Sequence, residues 1–393
     1  MPTEDEMSVS ERRTYLKRMK GRYVAAKRQQ RSALLTEMQQ VTGLHRKSLT
    51  RLMHAGSLER KKRVSPRGHH YGQEVERVIV RVWESRDYIC AERLTPGLLR
   101  MAQHLARFEP LGLTSQVEEQ LARISRATVA RILRKYRSRV RRLPQKGAER
   151  ANSATTGVPM GRIPWDIAEP GHFEVDLVYH SGESTVGVHG HTIQLIDVAT
   201  GWSERVAVLG RGQQAMEGGF EHILQRLPFA VKELHPDNGS EFFNHHLVRY
   251  WKDKVSGVHL SRSRPWHKND NRMVEQKNDT LVRQYLGELR LDTPEQIAAL
   301  NALYEQMWLY YNLFQPVLRL CEKTLVGDKV LRKWDAAKTP YERLLASGVL
   351  SAEQQARLQQ LYEQTNPAQL REALYRHLEA IGQSATTLPT SAA

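Results

Sequence analysis

His235-Pro-Asp-Asn-Gly-Ser-Glu-Phe242 and Ser263-Arg-Pro-Trp-His-Lys-Asn-Asp-Asn-Arg-Met-Val-Glu-Gln-Lys-Asn278 are the two fragments whose reading decides the fold. Just before the first, Val231 to Leu234 reads as a short apolar strand. Asn238-Gly239 is turn chemistry, because both residues tolerate positive φ. A turn there leaves the carboxylate of Asp237 free at the mouth of the strand. The second fragment opens as a Pro-containing loop and passes into a helix carrying Glu275. Upstream, Phe173-Glu-Val-Asp-Leu-Val178 is an apolar strand with Asp176 in its middle. Glu174 flanks it and is expected on the opposite face of the sheet.

A carboxylate inside an apolar strand is costly unless something pairs with it. Three carboxylates brought together repel unless a cation sits among them. Oxygen-only ligands suit Mg²⁺ or Mn²⁺. Two such ions about 3.5–4 Å apart serve phosphoryl transfer, by activating an attacking oxygen and stabilising the leaving one.

Asp176, Asp237 in His-Pro-Asp-Asn-Gly-Ser-Glu-Phe and Glu275 in Val-Glu-Gln-Lys-Asn resemble the DDE catalytic core of bacterial transposases and retroviral-type integrases, over residues 165–290. The resemblance implies an RNase H-like α/β core. It implies that Asp176, Asp237 and Glu275 are the catalytic residues and the ligands of two Mg²⁺ (or Mn²⁺) ions. It implies a DDE transposase of an insertion sequence, which binds terminal inverted repeats, cleaves 3′ ends and transfers strands into target DNA. Joint processing of two ends implies a homo-dimer or higher multimer on double-stranded DNA. Two features depart from the family pattern. The gap between Asp237 and Glu275 holds 37 residues, slightly more than usual. One turn after Glu275, where retroviral-type members often place a DNA-touching Lys, this chain has Asp279, so that contact passes to Lys277, Lys268 or Arg272. Arg264, His267 and Lys268 in the loop are expected to donate to the DNA backbone.

The net charge of +16 is unevenly spread. Residues 1–150 carry 34 Lys and Arg against 15 Asp and Glu, whereas the remainder carries 25 against 28. A basic arm on a near-neutral body suggests that the arm touches a polyanion and the body does something else. No run of about 18 apolar residues suggests a membrane span, and the acidic start, Met-Pro-Thr-Glu-Asp-Glu, lacks the apolar region of a secretory signal. Cys90 and Cys321 lie too far apart in sequence for a disulfide framework or a zinc finger, and are expected as buried small hydrophobes in a cytoplasmic, nucleoid-associated protein.

The arm divides into modules. Residues 1–68 read as a helix–turn–helix domain with a basic linker. Leu35, Met38, Val41, Leu44, Leu49 and Leu52 form its buried face, and Gly43 falls at the bend. Its second helix then presents Arg46, Lys47, Ser48 and Arg51, residues of groove-reading and phosphate-contacting types. The plainer alternative is a helical hairpin with a solvated basic face. Residues 69–145 read as a second module. Val75, Val78, Ile79, Val82 and Trp83 share one helix face, and Ser125 caps a last helix that projects Arg126, Thr128 and Arg131. The alternative here is a packing domain without base contacts. Residues 146–164, rich in small residues and Pro, read as a flexible linker holding both modules away from the core. In the core, 165–290, three successive strands precede alternating helices and strands, the RNase H-like order, with Asp197 structural. Residues 291–393 read as almost wholly helical. The fold class is therefore multidomain α and α/β. The main competing function is a catalytically inactive, domesticated, sequence-specific DNA-binding regulator.

Overall fold

The computed structural model describes residues 7–58, 71–136, 160–161, 163–236, 251, 257–264, 270–326 and 329–385. The chain forms two compact units, Met1–His70 and Tyr71–Ala393.

The first unit contains helices α1 (Val9–Ala25), α2 (Arg28–Thr42) and α3 (Arg46–His54). Ser8 and Glu11 close a capping box at the start of α1. Gly43 ends α2 at φ 67°, a conformation that glycine adopts without steric cost. Leu16, Met19, Leu35, Met38, Leu49 and Met53 form the core. Val41 does not join it and is 44% exposed. The buried positions of α2 are Leu34, Leu35, Met38 and Thr42, a stripe that passes Val41 by.

The second unit begins with α4 (Gln73–Ser85), α5 (Ala91–Leu94), α6 (Leu98–Leu105), α7 (Ser115–Arg123) and α8 (Arg126–Arg134). Val75, Val78, Ile79, Val82 and Trp83 are all buried, as their spacing predicts. After the short strand β1 (Met160–Gly161) comes a five-stranded sheet built from β2 (His172–His180), β3 (Gly190–Asp197), β4 (Ser203–Leu209), β5 (Glu233–Pro236) and β6 (His259–Leu260). Its order is β4-β3-β2-β5-β6, antiparallel from β4 to β2 and parallel from β2 to β6. This is the RNase H-like order, with the first strand of the sheet at its centre. β7 (Arg262–Ser263) pairs instead with β1. α9 (Gln213–Arg226) packs on the sheet through Gly219, where an added Cβ would meet Ile193 Cδ1 at 2.6 Å.

Then follow α10 (Arg272–Asn278), continued by a π-helical turn (Asp279–Arg283), and α11 (Pro294–Leu309), which also runs into a π-helical turn (Tyr310–Phe314). Residues 291–393 are less helical than expected. Strands β8 (Leu320–Val326) and β9 (Lys329–Trp334) form a hairpin before α12 (Pro340–Ser347), α13 (Ala352–Gln364) and α14 (Pro367–Ser384). The sequence carries the signal, since β-branched and apolar residues flank Gly327-Asp328.

The second helical module is not held away from the core by the linker. Tyr310 donates to Ser85 O (2.8 Å), Gln315 Nε2 to Arg86 O (3.1 Å), and His104 Nε2 meets Thr365 O (2.9 Å). Asp87 accepts from Tyr285, Arg371 Nε and Tyr375 at 3.1, 2.9 and 2.9 Å. Asp87 and Tyr88 both have positive φ, 53° and 59°, a strained turn held by these contacts and by Arg371 over the Tyr88 ring (4.8 Å). The apolar stripes of α4–α8 have too little partner surface of their own and share one buried cluster with the sheet and α11–α14.

Cys90 and Cys321 are exposed rather than buried. Cys90 precedes the first turn of α5, and Cys321 lies on the projecting hairpin. Among the described residues no helix is long and apolar enough to cross a membrane.

Candidate active site

Asp176 lies in the middle of β2, half-buried, opposite Gln194 of β3. On the other side of β2 the register brings Val175 opposite Pro236, the last described residue of β5. Asp237, with Asn238 and Gly239, lies outside the described residues, as do His267, Lys268 and Asn269.

α10 packs against β2 and carries Glu275 in its first turn, exposed to solvent, with its charge felt by Glu174. Three side-chain contacts hold the helix there. Asn271 Nδ2 donates to Val175 O (3.2 Å), Glu174 Oε2 accepts from the backbone N–H groups of Met273 (2.7 Å) and Val274 (2.9 Å), and Asn278 Nδ2 donates to Asp176 Oδ2 (2.5 Å). Asp176 Oδ1 also accepts from the N–H of Leu177 at 2.8 Å. Glu174 therefore does not point to the opposite face from Asp176. Side chains two apart on a strand share a face, and both carboxylates meet α10.

Glu174 is 2% exposed. Its carboxylate satisfies orphan N–H groups at a helix N-terminus and faces the positive end of the helix dipole. Burial nevertheless dominates and pushes its pKa up to about 7, against the two N–H bonds and the charge of Arg272, with Glu275 adding to the rise. This residue joins strand and helix, a role the sequence reading missed. The available signal was its spacing of two from Asp176.

The oxygens gathered here are hard donors of the type Mg²⁺ or Mn²⁺ takes. The Asp176 carboxylate stands at the strand–helix junction, and Oδ1 of the Asn278 amide is buried there with no hydrogen-bond partner among the described residues. The donor chemistry thus fits a divalent cation. Among the described residues there is no group of three or more His, Cys, Asp or Glu that could hold a metal, and Asp237 is not among them.

Around the site a polar chain pins β5 to its neighbours. His172 Nδ1 meets Glu233 Oε2 (2.8 Å), Ser261 donates to Glu233 Oε1 (2.5 Å), and His235 Nδ1 meets Ser261 Oγ (2.7 Å). Burial lowers the His235 pKa, against the charges of Glu233 and Asp270. Asp197, as expected, is structural. It is fully buried and braces a turn by accepting from Gly171 N (2.8 Å), Thr200 N (2.7 Å) and Thr200 Oγ1 (2.6 Å).

The expected DNA-contacting residues are variously placed. Arg264 is held by Asp270 through two bonds of 2.9 Å. Arg272 and Lys277 are half-buried on α10, Lys277 with its ammonium 5.0 Å from the Tyr311 ring. Lys47 and Arg51 are exposed on α3 and Ser48 is half-buried, whereas Arg46 is strapped to α2 through Thr36 Oγ1 (2.8 Å) and Ser32 Oγ (2.7 Å). Arg126 and Arg131 are exposed on α8, Arg126 3.8 Å from Glu92, and the Thr128 hydroxyl bonds that of the capping Ser125 (3.0 Å).

No protein-family model matches the chain. Among solved structures it is similar to the catalytic core domain of BIV integrase, with a TM-score of 0.30 and 17% identity over 45% of this chain and 95% of that one. It is also similar to a chain of the simian T-cell lymphotropic virus intasome in complex with PP2A regulatory subunit B56 gamma, with a TM-score of 0.32 and 14% identity over 61% of this chain and 73% of that one. Both superpositions are loose. Among curated proteins, the "Uncharacterized protein y4rM" of Sinorhizobium fredii (strain NBRC 101917 / NGR234) is 34% identical over 327 residues. That alignment spans 82% of this chain and 91% of the relative, so the chain belongs to the y4rM family.

Proposed function

We propose that the protein is a DDE transposase that binds the terminal inverted repeats of an insertion sequence, cleaves their 3′ ends and transfers them into target DNA. The observation that carries this reading is the junction of β2 and α10. A half-buried aspartate at the centre of an RNase H-ordered sheet is met there by a helix bearing an exposed glutamate. Together with the Asp237 fragment, this is the composition of a polynucleotidyl transferase centre.

Asp176, Asp237 and Glu275 would hold the divalent cations, two Mg²⁺ or Mn²⁺ ions, whose chemistry when bound is to acidify an attacking hydroxyl and offset charge on the phosphate. The chain's own residues do the rest. Asn278 orients the Asp176 carboxylate, and Glu174 fixes the N-terminus of the helix that carries Glu275. Hydrolysis at each element end exposes a 3′-hydroxyl, which then attacks a target phosphodiester in line. Each step exchanges one P–O bond for another, so no covalent enzyme intermediate is required. Lys47, Ser48 and Arg51 on α3, with Arg126, Thr128 and Arg131 on α8, are assigned to the inverted repeats. Arg264, Arg272 and Lys277, with His267 and Lys268, are assigned to DNA beside the reacting phosphate. Two ends processed together call for at least a homo-dimer, acting on DNA in the cytoplasm.

The test is strand joining with duplexes taken from the DNA flanking the reading frame, in Mg²⁺, by the wild-type chain and the Asp176→Asn variant. The reading expects joined product from the wild type, and end binding without joining from the variant. End binding by both with joining by neither would identify a catalytically inactive DNA-binding regulator.

A further inference from the structure

The β8–β9 hairpin stands apart from the packed body. Every residue of its stem whose side chain is described beyond Leu320 is exposed, from Cys321 to Thr324 and from Leu331 to Trp334. A two-stranded ribbon bare on both faces has little stability of its own, yet this one is firmly rooted. Arg319 and Asp335 exchange backbone and side-chain bonds (Asp335 N to Arg319 O 2.9 Å, Arg319 N to Asp335 Oδ1 2.8 Å). Arg343 grips Asp335 (2.6 Å) and Val317 O (2.9 Å), while the Arg319 guanidinium donates to Ala199 O and Ile167 O.

The two faces differ in charge. Glu322 opposes Lys333, an ion pair at 3.5 Å, and Thr324 opposes Leu331. On the other face Lys323 stands directly opposite Arg332, with Trp334 two residues along the same strand and 53% exposed. Like charges facing each other across a strand pair destabilise it. Neither Lys323 nor Arg332 has an acidic partner among the described residues. An anion between them would turn that repulsion into attraction, and a neighbouring exposed indole adds a flat apolar surface. Two cations and an aromatic ring without a carboxylate fit a sugar–phosphate chain, and a rooted two-stranded ribbon is a shape that lies along duplex DNA.

We propose that the hairpin face bearing Lys323, Arg332 and Trp334 binds the phosphate backbone of duplex DNA without regard to sequence, as a grip for target DNA. The proposal rests on the transferase reading only for the identity of that duplex as target. The full-length protein and random-sequence duplex test it, by fluorescence anisotropy across a salt series without divalent metal. The Lys323→Gln/Arg332→Gln variant should lower the slope of log affinity against log salt by about 1.8, since each phosphate contact contributes about 0.9. Trp334→Ala should weaken binding several-fold at unchanged slope. Lys333→Gln, on the paired face, is the control for net charge, and circular dichroism melting checks that each variant folds. The conservative pair Lys323→Arg/Arg332→Lys should keep the wild-type slope. An unchanged slope in the Gln pair, or an equal fall from Lys333→Gln alone, overturns the proposal. A concentration-dependent dimer, formed without DNA and lost in the Gln pair, overturns it in favour of a second copy of the chain. Binding and joining fail separately. A slope lowered by the Gln pair in a protein that joins no strands upholds the hairpin and sinks the transferase. Strand joining with an unchanged slope does the reverse.

Discussion

Glu204 on β4 and Asp176 on β2 are acids in the same sheet, with one strand between them, and their surroundings differ completely. Glu204 has no exposed surface. Its Oε1 accepts both indole N–H groups of Trp202 (2.8 Å) and Trp308 (2.7 Å), and its Oε2 takes Arg226 Nε at 2.8 Å. Its donors converge from the turn before β4, from α9 and from α11, and balance the cost of burial. Asp176 is half-buried, and its bonds include one amide donor from α10 and one N–H from its own neighbour. A carboxylate fully served by fixed donors is structure. Asp176 stands at a seam, near Glu174 and an amide oxygen that has no hydrogen-bond partner among the described residues, and there the proposed cation would bind.

The comparison can be broken in four ways. Asp176→Asn is expected to lower strand joining about a thousandfold or more, the several kcal/mol that metal-assisted charge stabilisation supplies. It should move the denaturation midpoint little. Loss of folding in place of activity would erase the contrast. Glu204→Gln should do the opposite. It leaves the Arg226 guanidinium, 13% exposed, with only the half-exposed Glu305 as its counter-charge, at a cost of about 1.5–3 kcal/mol in chemical denaturation. Activity per folded molecule is expected to persist. Asn278→Ala sharpens the metal side of the argument. Freed from its amide, Asp176 should need about tenfold more Mg²⁺ for half-maximal joining, the lower end of what outer-sphere partners contribute. An unchanged Mg²⁺ requirement would make Asn278 a packing residue.

The fourth test concerns a buried base in place of a buried acid. His180, 3% exposed and bonded to Thr192 Oγ1 at 2.7 Å, has its pKa pushed down from 6.5 to about 3, first by burial and then by the charges of His191, His189 and Arg283. Below pH 6.5 the unfolded chain binds this proton before the folded one does. Stability is therefore unaffected above pH 6.5 and falls by about 1.4 kcal/mol per unit as pH drops towards 3. Stability curves from pH 7 to 5 should show that slope, and His180→Asn should reduce it.

Much of this was legible in local sequence. The apolar run around Asp176 gave the central strand, the Ser-capped and Thr-capped helices began near their caps, and the spacing of Val75 to Trp83 named a buried face. What failed to show depends on contacts across the chain. Glu174 was misassigned by a slip in the two-residue period, and its partners lie about a hundred residues away on α10. Asn278 carries no local mark of its bond to Asp176, which exists only once the helix docks. Composition suggested a tether between the second module and the core, because it describes the joining segment and not the surfaces that α4–α8 bury. The two exposed cysteines were misjudged because a residue's average behaviour says nothing about where its own backbone runs.

The knot of hydrogen bonds at Asp87 has a consequence for biosynthesis. Its partners Arg371 and Tyr375 lie 284 and 288 residues further along the chain. Helices made early in translation must therefore wait, with apolar stripes uncovered, until the final helix clears the ribosome. The second unit cannot mature vectorially, and a nascent chain stalled before residue 371 is the form that chaperones should find most often.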